Sequence, residues 1–303
     1  MKILVTGASG FVGRALCQKL KEKAYTVGVL TRNTKRTRQS LPNMDSYTAW
    51  DPENEPAPKE ALKDHDAIIH LAGENVAGRW SKARKAKIFA SRDLGTQNLI
   101  KGLEQCTDHT PKALISASAI GYYGERGDDE LPEEEQSGDD FLAKVCAAWE
   151  NAACAAEKLG VRTVRVRIGI VLDKGGGALD AMLLPFKLGA GGPLGSGQQW
   201  WSWIHRADLV DLICHALENP QISGAINGTA PHPVRQKDFA NIMGKVLRRP
   251  TFFPGPAFAI RLAVGEFSAE LLSSKKVLPK AALATGFKFA YPTLEPALKH
   301  ILG

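Results

Sequence analysis

Three observations predict an α/β fold: a doubly wound parallel sheet followed by a smaller C-terminal lobe. Short apolar runs alternate with amphipathic segments through the first 171 residues. A glycine-rich turn stands directly after the first of those runs. Beyond residue 171 the alternation gives way to a glycine-rich stretch and separate helical segments. Strands alternating with helices imply βαβ units and a parallel sheet covered on both faces.

The elements follow in chain order. "KILVT" (2–6) is a short apolar run ending at a glycine and reads as the first strand. Phe11 to Lys23 puts Phe11, Ala15, Leu16 and Leu20 on one side, as an amphipathic helix does. "YTVGVLT" (25–31), "SYTAW" (46–50), "DAIIHLA" (66–72) and "KALISAS" (112–118) read as strands. Helices are predicted over Lys82–Leu103 and Asp139–Leu159, and "VRTVRVRIGIVL" (161–172) closes the series. "KGGGALDAMLLPFKLGAGGPLGSG" (174–197) reads as loops and short elements around a site. Helices are again predicted over Ala207–Glu218, Gln236–Leu247 and "AIRLAVGEFSAELL" (259–272).

The bulk numbers exclude several classes. The chain has 303 residues, 44% hydrophobic and 23% charged, which suits a folded globular protein rather than a disordered one. No apolar run approaches membrane-spanning length, and Met1 leads straight into the first strand, so neither a membrane protein nor a signal peptide is expected. The net charge of +7 invites a nucleic-acid partner. Its distribution argues against one, because Asp128 to Asp140 holds eight carboxylates and no RNA-binding aromatic signature or zinc-finger spacing is present. The five cysteines are an odd number without a CxxC pair, which predicts free thiols, a reducing, cytoplasmic setting and no metal site.

"VTGASGFVG" carries Gly7, Gly10 and Gly13 at GxxGxxG spacing, between a strand and a helix. Gly7 permits the tight turn, Gly10 lets a pyrophosphate approach the backbone, and Gly13 lets the helix pack close to the sheet. Ser9, Phe11 and Val12 complete the loop, and the helix N-terminus offers unpaired N–H groups to the anion. This context predicts a Rossmann-type dinucleotide-binding domain over residues 1–171, to which some later segments return. Residues 172–303 then form a substrate-side lobe. An NAD site usually ends its second strand with a carboxylate that binds the ribose 2′-OH. Here that strand runs into "VLTRNTKRTR", with no carboxylate between Glu22 and Asp45. Arg32 at the strand end suits a 2′-phosphate, so NADP(H) is preferred over NAD(H).

"TGASGFVG", "HLAG" (70–73), "SASAIGYYG" and "WIHRADL" (203–209) together resemble the extended branch of the short-chain dehydrogenase/reductase superfamily. The likeness covers nearly the whole chain. "LAGEN", "GYYG", "WE" (149–150) and the tail "KKVLPKAALATGFKFAYPTLEPAL" are most similar to its epimerase family proteins, which carry a C-terminal domain of unknown function, here about 250–298. The resemblance implies that Leu71, Ala72, Gly73 and Glu74 line the nucleotide, that Arg92 faces it, and that the segment ending at Val171 reaches the nicotinamide end. It also implies a sugar-like or carbonyl small-molecule substrate and a homodimer built on paired helices.

The extended family works with a Ser–Tyr–Lys set in which the tyrosine is the acid/base. Ser118 aligns with the serine, and Ser116 is the runner-up, a strand-end hydroxyl. The Tyr-x-x-x-Lys element does not align. Lys144 fits one register, but that puts Asp140 at the tyrosine position; aligning Glu150 instead gives Leu142 and Cys146. Tyr122 and Tyr123 are the nearby phenols, and Asp140 also reads as a helix N-cap. The aromatic run "QQWWSWIH" (198–205), with Glu74, Asn75, Arg79, Trp80 and Asp208, reads partly as core and partly as cleft lining, and His205 as a partner to nearby backbone. The expected function is that of an NADP(H)-binding protein, an oxidoreductase or nucleotide-sugar epimerase lacking the usual Tyr-x-x-x-Lys element, with a noncatalytic NADP(H) sensor or regulatory binding protein as the alternative.

Overall fold

The computed structural model describes residues 1–106 and 110–303. Seven strands form one sheet: Lys2–Thr6, Thr26–Thr31, Ser46–Ala49, Ala67–His70, Ala113–Ala119, Arg162–Ile168 and Gly224–Gly228. Numbered in chain order, they lie side by side as seventh, sixth, fifth, fourth, first, second, third. Every neighbouring pair is parallel. The strand order reverses between the first and fourth strands, and ligands of open α/β sheets bind in the crevice at the carboxyl ends there.

Alternation along the strands builds the two faces of the core. Ile3 and Val5 turn to one face with Val27, Val29, Ile115 and Val166, covered by the helices Phe11–Glu22 and Arg206–Glu218. Leu4 turns to the other with Leu30, Ile68 and Leu114, covered by Lys59–Lys63, Asp93–Glu104 and Phe141–Cys154. Each fully buried Leu, Ile or Val contributes roughly 1.5–3 kcal/mol of transfer free energy. A third core joins the helices Gly177–Lys187, Gln236–Leu247 and Leu294–Leu302 around Trp203, Phe239 and Leu298.

Three departures from the sequence reading have local causes. The stretch 82–103 is two helices, Lys82–Ala90 and Asp93–Glu104. At the break, the Ser91 hydroxyl donates to the Ile88 carbonyl and accepts from the Glu74 N–H. The run 161–172 divides at Gly169, where a Cβ would stand 2.7 Å from the Ser202 carbonyl oxygen. The short strand Ile170–Leu172 beyond it pairs with Trp203–His205. The seventh strand, "GAING", has too few β-branched residues to announce itself.

The C-terminal segment is tied over the sheet's carboxyl end. Lys276–Val277 pairs with Glu130–Leu131, and the Ser274 N–H donates to Glu125 Oε2 at 2.7 Å. Asp208, fully buried, accepts from the Ala290 and Tyr291 N–H groups at 2.8 and 2.9 Å. No helix among the described residues is long and apolar enough to cross a membrane.

Candidate active site

A cleft of about 210 Å³ opens at the reversal of strand order. Gly7, Ser9 and Gly10 line it, together with Arg32 from the end of the second strand and Leu71, Ala72, Gly73 and Glu74 from beyond the fourth. Gly7 has φ +68°, and a Cβ there would lie 2.6 Å from the Leu71 carbonyl, so the loop tolerates only glycine. A Cβ on Gly13 would drive into the Gly7 carbonyl. The helix Phe11–Glu22 begins at Gly10 with no side-chain cap and no acidic residue in its first turn. Its first N–H groups are therefore open to an anion.

Two loop residues lie apart from the cleft lining. Val12 packs against the core, and the Phe11 ring lies against Gly176 and Gly177 with the Arg206 guanidinium 4.7 Å from its centre. Val171 also packs against the core. Arg92 sits between two helices, its guanidinium beside Gly73 and 5.0 Å from the centre of the Trp149 ring. Burial lowers its pKa from the ordinary value. Trp50, Pro52 and Glu53 line the same cleft from the turn after the third strand, and sequence reasoning missed them. The one available signal was their place at a strand's carboxyl end.

The walls of this cleft rest on a buried histidine. His70 Nδ1 lies 2.8 Å from Thr6 Oγ1, and its Nε2 lies 3.1 Å from Thr96 Oγ1. Thr6 Oγ1 also accepts from the Ala72 N–H. Burial pushes the imidazole down to about 4, so it is neutral near pH 7.

At the end of the fifth strand lies a second constellation. The Ser118 hydroxyl donates to Glu150 Oε1 at 2.7 Å. Arg167 grips the same carboxylate, Nε to Oε1 at 2.8 Å and Nη2 to Oε2 at 3.0 Å. Its Nη1 donates to the Tyr123 hydroxyl at 2.9 Å, and that hydroxyl lies 2.7 Å from Asn227 Oδ1. The guanidinium lies 3.6 Å from the centre of the Tyr122 ring. Burial opposes the charge on Arg167, but Glu150 outweighs it and holds the pKa above its usual value. Burial likewise pushes the Tyr123 phenol up to about 12, despite Arg167.

The helix Phe141–Cys154 puts the residues of the two registers on different faces. Asp140 caps it, accepting from the Ala143 N–H at 2.8 Å. Leu142, Cys146 and Glu150 are buried along one face, and Gly121, just after the fifth strand, packs on the first two. Lys144 is exposed on another face. Burial pushes the Cys146 thiol up to about 12. Ser116 donates to the Ala117 carbonyl, and His205 Nδ1 accepts from the Ala207 N–H. Trp201 and Trp203 are core, whereas the Trp200 ring lies against Arg235 and Lys276.

Comparison with known proteins agrees with this fold. Residues 3–227 match the model of the NAD dependent epimerase/dehydratase family, and residues 256–301 match a domain of unknown function, DUF1731. The chain is 42% identical over its whole length to an epimerase family protein SDR39U1 homolog, chloroplastic, of Arabidopsis thaliana, covering 87% of that protein. It is 39% identical to the epimerase family protein YfhF of Bacillus subtilis, covering 98% of it. The crystal structure of human epimerase family protein SDR39U1 with NADPH superposes with a TM-score of 0.88 at 35% identity, over 99% of both chains. A UDP-galactose 4-epimerase shares the fold at 22% identity, with a TM-score of 0.75. This chain belongs to the NAD dependent epimerase/dehydratase family.

Proposed function

We propose that the protein is an NADP(H)-dependent oxidoreductase of the epimerase type, in which Ser118, Glu150 and Arg167 stand in for the tyrosine–lysine pair. The observation that carries this reading is the Ser118–Glu150 hydrogen bond at 2.7 Å, locked by Arg167. The open helix N-terminus and the glycine cradle fit a dinucleotide. Gly7, Ser9 and Gly10 would hold its pyrophosphate and Arg32 a 2′-phosphate. NADPH bound to the human relative supports the same choice. When bound, the dinucleotide supplies the ring that exchanges hydride.

The chain's own residues do the proton work. With its proton given to Glu150, Ser118 Oγ presents only lone pairs to a substrate, so it accepts from a carbinol O–H. Loss of that substrate proton through Ser118 to Glu150 follows the existing hydrogen bond. Arg167 keeps the carboxylate in place throughout. The test is NADP⁺ reduction across a panel of alcohols, with Ser118→Ala and Glu150→Gln. Turnover that falls at least about a hundredfold in both variants supports the reading. Turnover unchanged in both overturns it.

A noncatalytic NADP(H) sensor is the second reading, favoured by the exposure of Lys144 and the high-pKa, buried phenol of Tyr123. Tight cofactor binding with no turnover of any panel member would select it.

A further inference from the structure

The loop from Gly73 to Trp80 joins two cavities. Gly73 and Glu74 line the nucleotide cleft, while Trp80 lines a second cavity of about 500 Å³. This second cavity lies between the start of the helix Phe141–Cys154 and the C-terminal segment Arg261–Ser273. Leu142 is part of its lining, on the same helix face as Glu150, the partner of Ser118.

Its charges are unsuited to a phosphate ligand. Four carboxylates line it, Glu125, Asp140, Glu266 and Glu270, against one guanidinium, Arg261. Every carboxylate is already engaged. Glu125 accepts from Ser274 N–H and Asp140 from Ala143 N–H. Glu266 pairs with Lys85 at 2.7 Å and Glu270 with Lys275 at 2.9 Å. A diphosphate needs several charge-assisted donors, and only Arg261 lines this cavity as a cation.

The rest of its lining, apart from Ser268 and Ser273, is apolar. Trp80 packs edge-on to Phe141, ring centres 5.1 Å apart, and Leu142 and Leu272 extend that wall. The helix Ala257–Val264 has no buried residue although seven of its eight side chains are apolar. Phe258 and Leu262, 73% and 74% exposed, share one helix face with Arg261 and so carry the apolar surface past the cavity's rim.

We propose that this cavity takes an uncharged, largely apolar alcohol rather than a nucleoside-diphosphate sugar. Its hydrocarbon part runs along Trp80, Phe141 and Leu272 toward Phe258 and Leu262. The proposal deepens the oxidoreductase reading and rests on it for the choice of an alcohol.

The experiment is calorimetric titration with 4-alkylcyclohexanols, propyl to heptyl, and with UDP-glucose. Each is titrated into the NADP⁺-loaded protein and into the cofactor-free protein. Failure of NADP⁺ itself to bind overturns the oxidoreductase reading and leaves the alcohol series in the cofactor-free protein to decide this one. The expected result is a Kd that tightens roughly threefold per methylene, with no UDP-glucose binding at about 1 mM. Trp80→Ala weakens the heptyl compound about tenfold. The double variant Phe258→Ser/Leu262→Ser changes only exposed side chains and removes the gain from the last methylenes. The proposal is overturned if UDP-glucose binds more tightly than the alcohols, if Kd is flat across the series, or if both variants bind like the parent protein.

Discussion

Arg167 holds both carboxylate oxygens of Glu150, at 2.8 and 3.0 Å, in a pair whose side chains are 5% and 4% exposed. An ion pair this deep is sustained by its hydrogen bonds, because removing either partner leaves a charge without compensation. Arg167→Leu should therefore lower the unfolding free energy by roughly 3–5 kcal/mol. Adding Glu150→Gln to that variant should restore part of the loss. Urea unfolding of Arg167→Leu, Glu150→Gln and the double variant measures this, and losses that simply add would contradict it.

The phosphate loop makes the second prediction. Gly7→Ala should lower stability by at least about 1–2 kcal/mol, from the positive φ alone, and weaken NADPH binding further through the clash with Leu71. Thermal unfolding with and without NADPH separates the two effects. A variant with wild-type affinity would contradict the cradle.

His70 makes the third. Its pKa is about 4 in the fold and near 6.5 in the unfolded chain, so the unfolded chain takes up the proton first as pH falls. Its contribution is complete above pH 6.5 and is lost as pH falls toward 4, by about 3 kcal/mol over the whole interval. His70→Gln should flatten that part of the profile of urea midpoints against pH. An unchanged slope would mean that other groups dominate.

Lys144 makes the fourth. Lys144→Ala should leave both stability and NADPH affinity within about twofold, since the side chain is exposed. A loss of tenfold or more in affinity would mean that this lysine reaches the ribose.

The legible parts of the molecule were those governed by local rules. Strand alternation foretold six of the seven sheet strands, because a buried parallel strand needs an unbroken apolar run, as in "KILVT". The glycine spacing foretold the cradle, because Gly7 and Gly13 each face backbone at a distance that no Cβ tolerates. Ser118 and Glu150 were visible singly, but the sequence did not join them. Their partner Arg167 comes from the next strand, in register with Ser118, and such pairing depends on tertiary register. The cavity between Trp80 and Leu272 was illegible for the same reason, since its walls lie far apart in the chain. The expected single helix over 82–103 failed at Ser91, whose hydroxyl bridges to Glu74 across the fold.

The proposed function assigns the choice of cofactor to Arg32, and the most direct measurement is the dissociation constant of NADPH against that of NADH, for the parent protein and Arg32→Ala. Arg32 is exposed and lines the cleft, so its removal leaves the fold intact. The predicted result is NADPH at least about tenfold tighter than NADH, with that preference lost in Arg32→Ala and NADH affinity unchanged. Equal affinity for the two cofactors in the parent protein would contradict it.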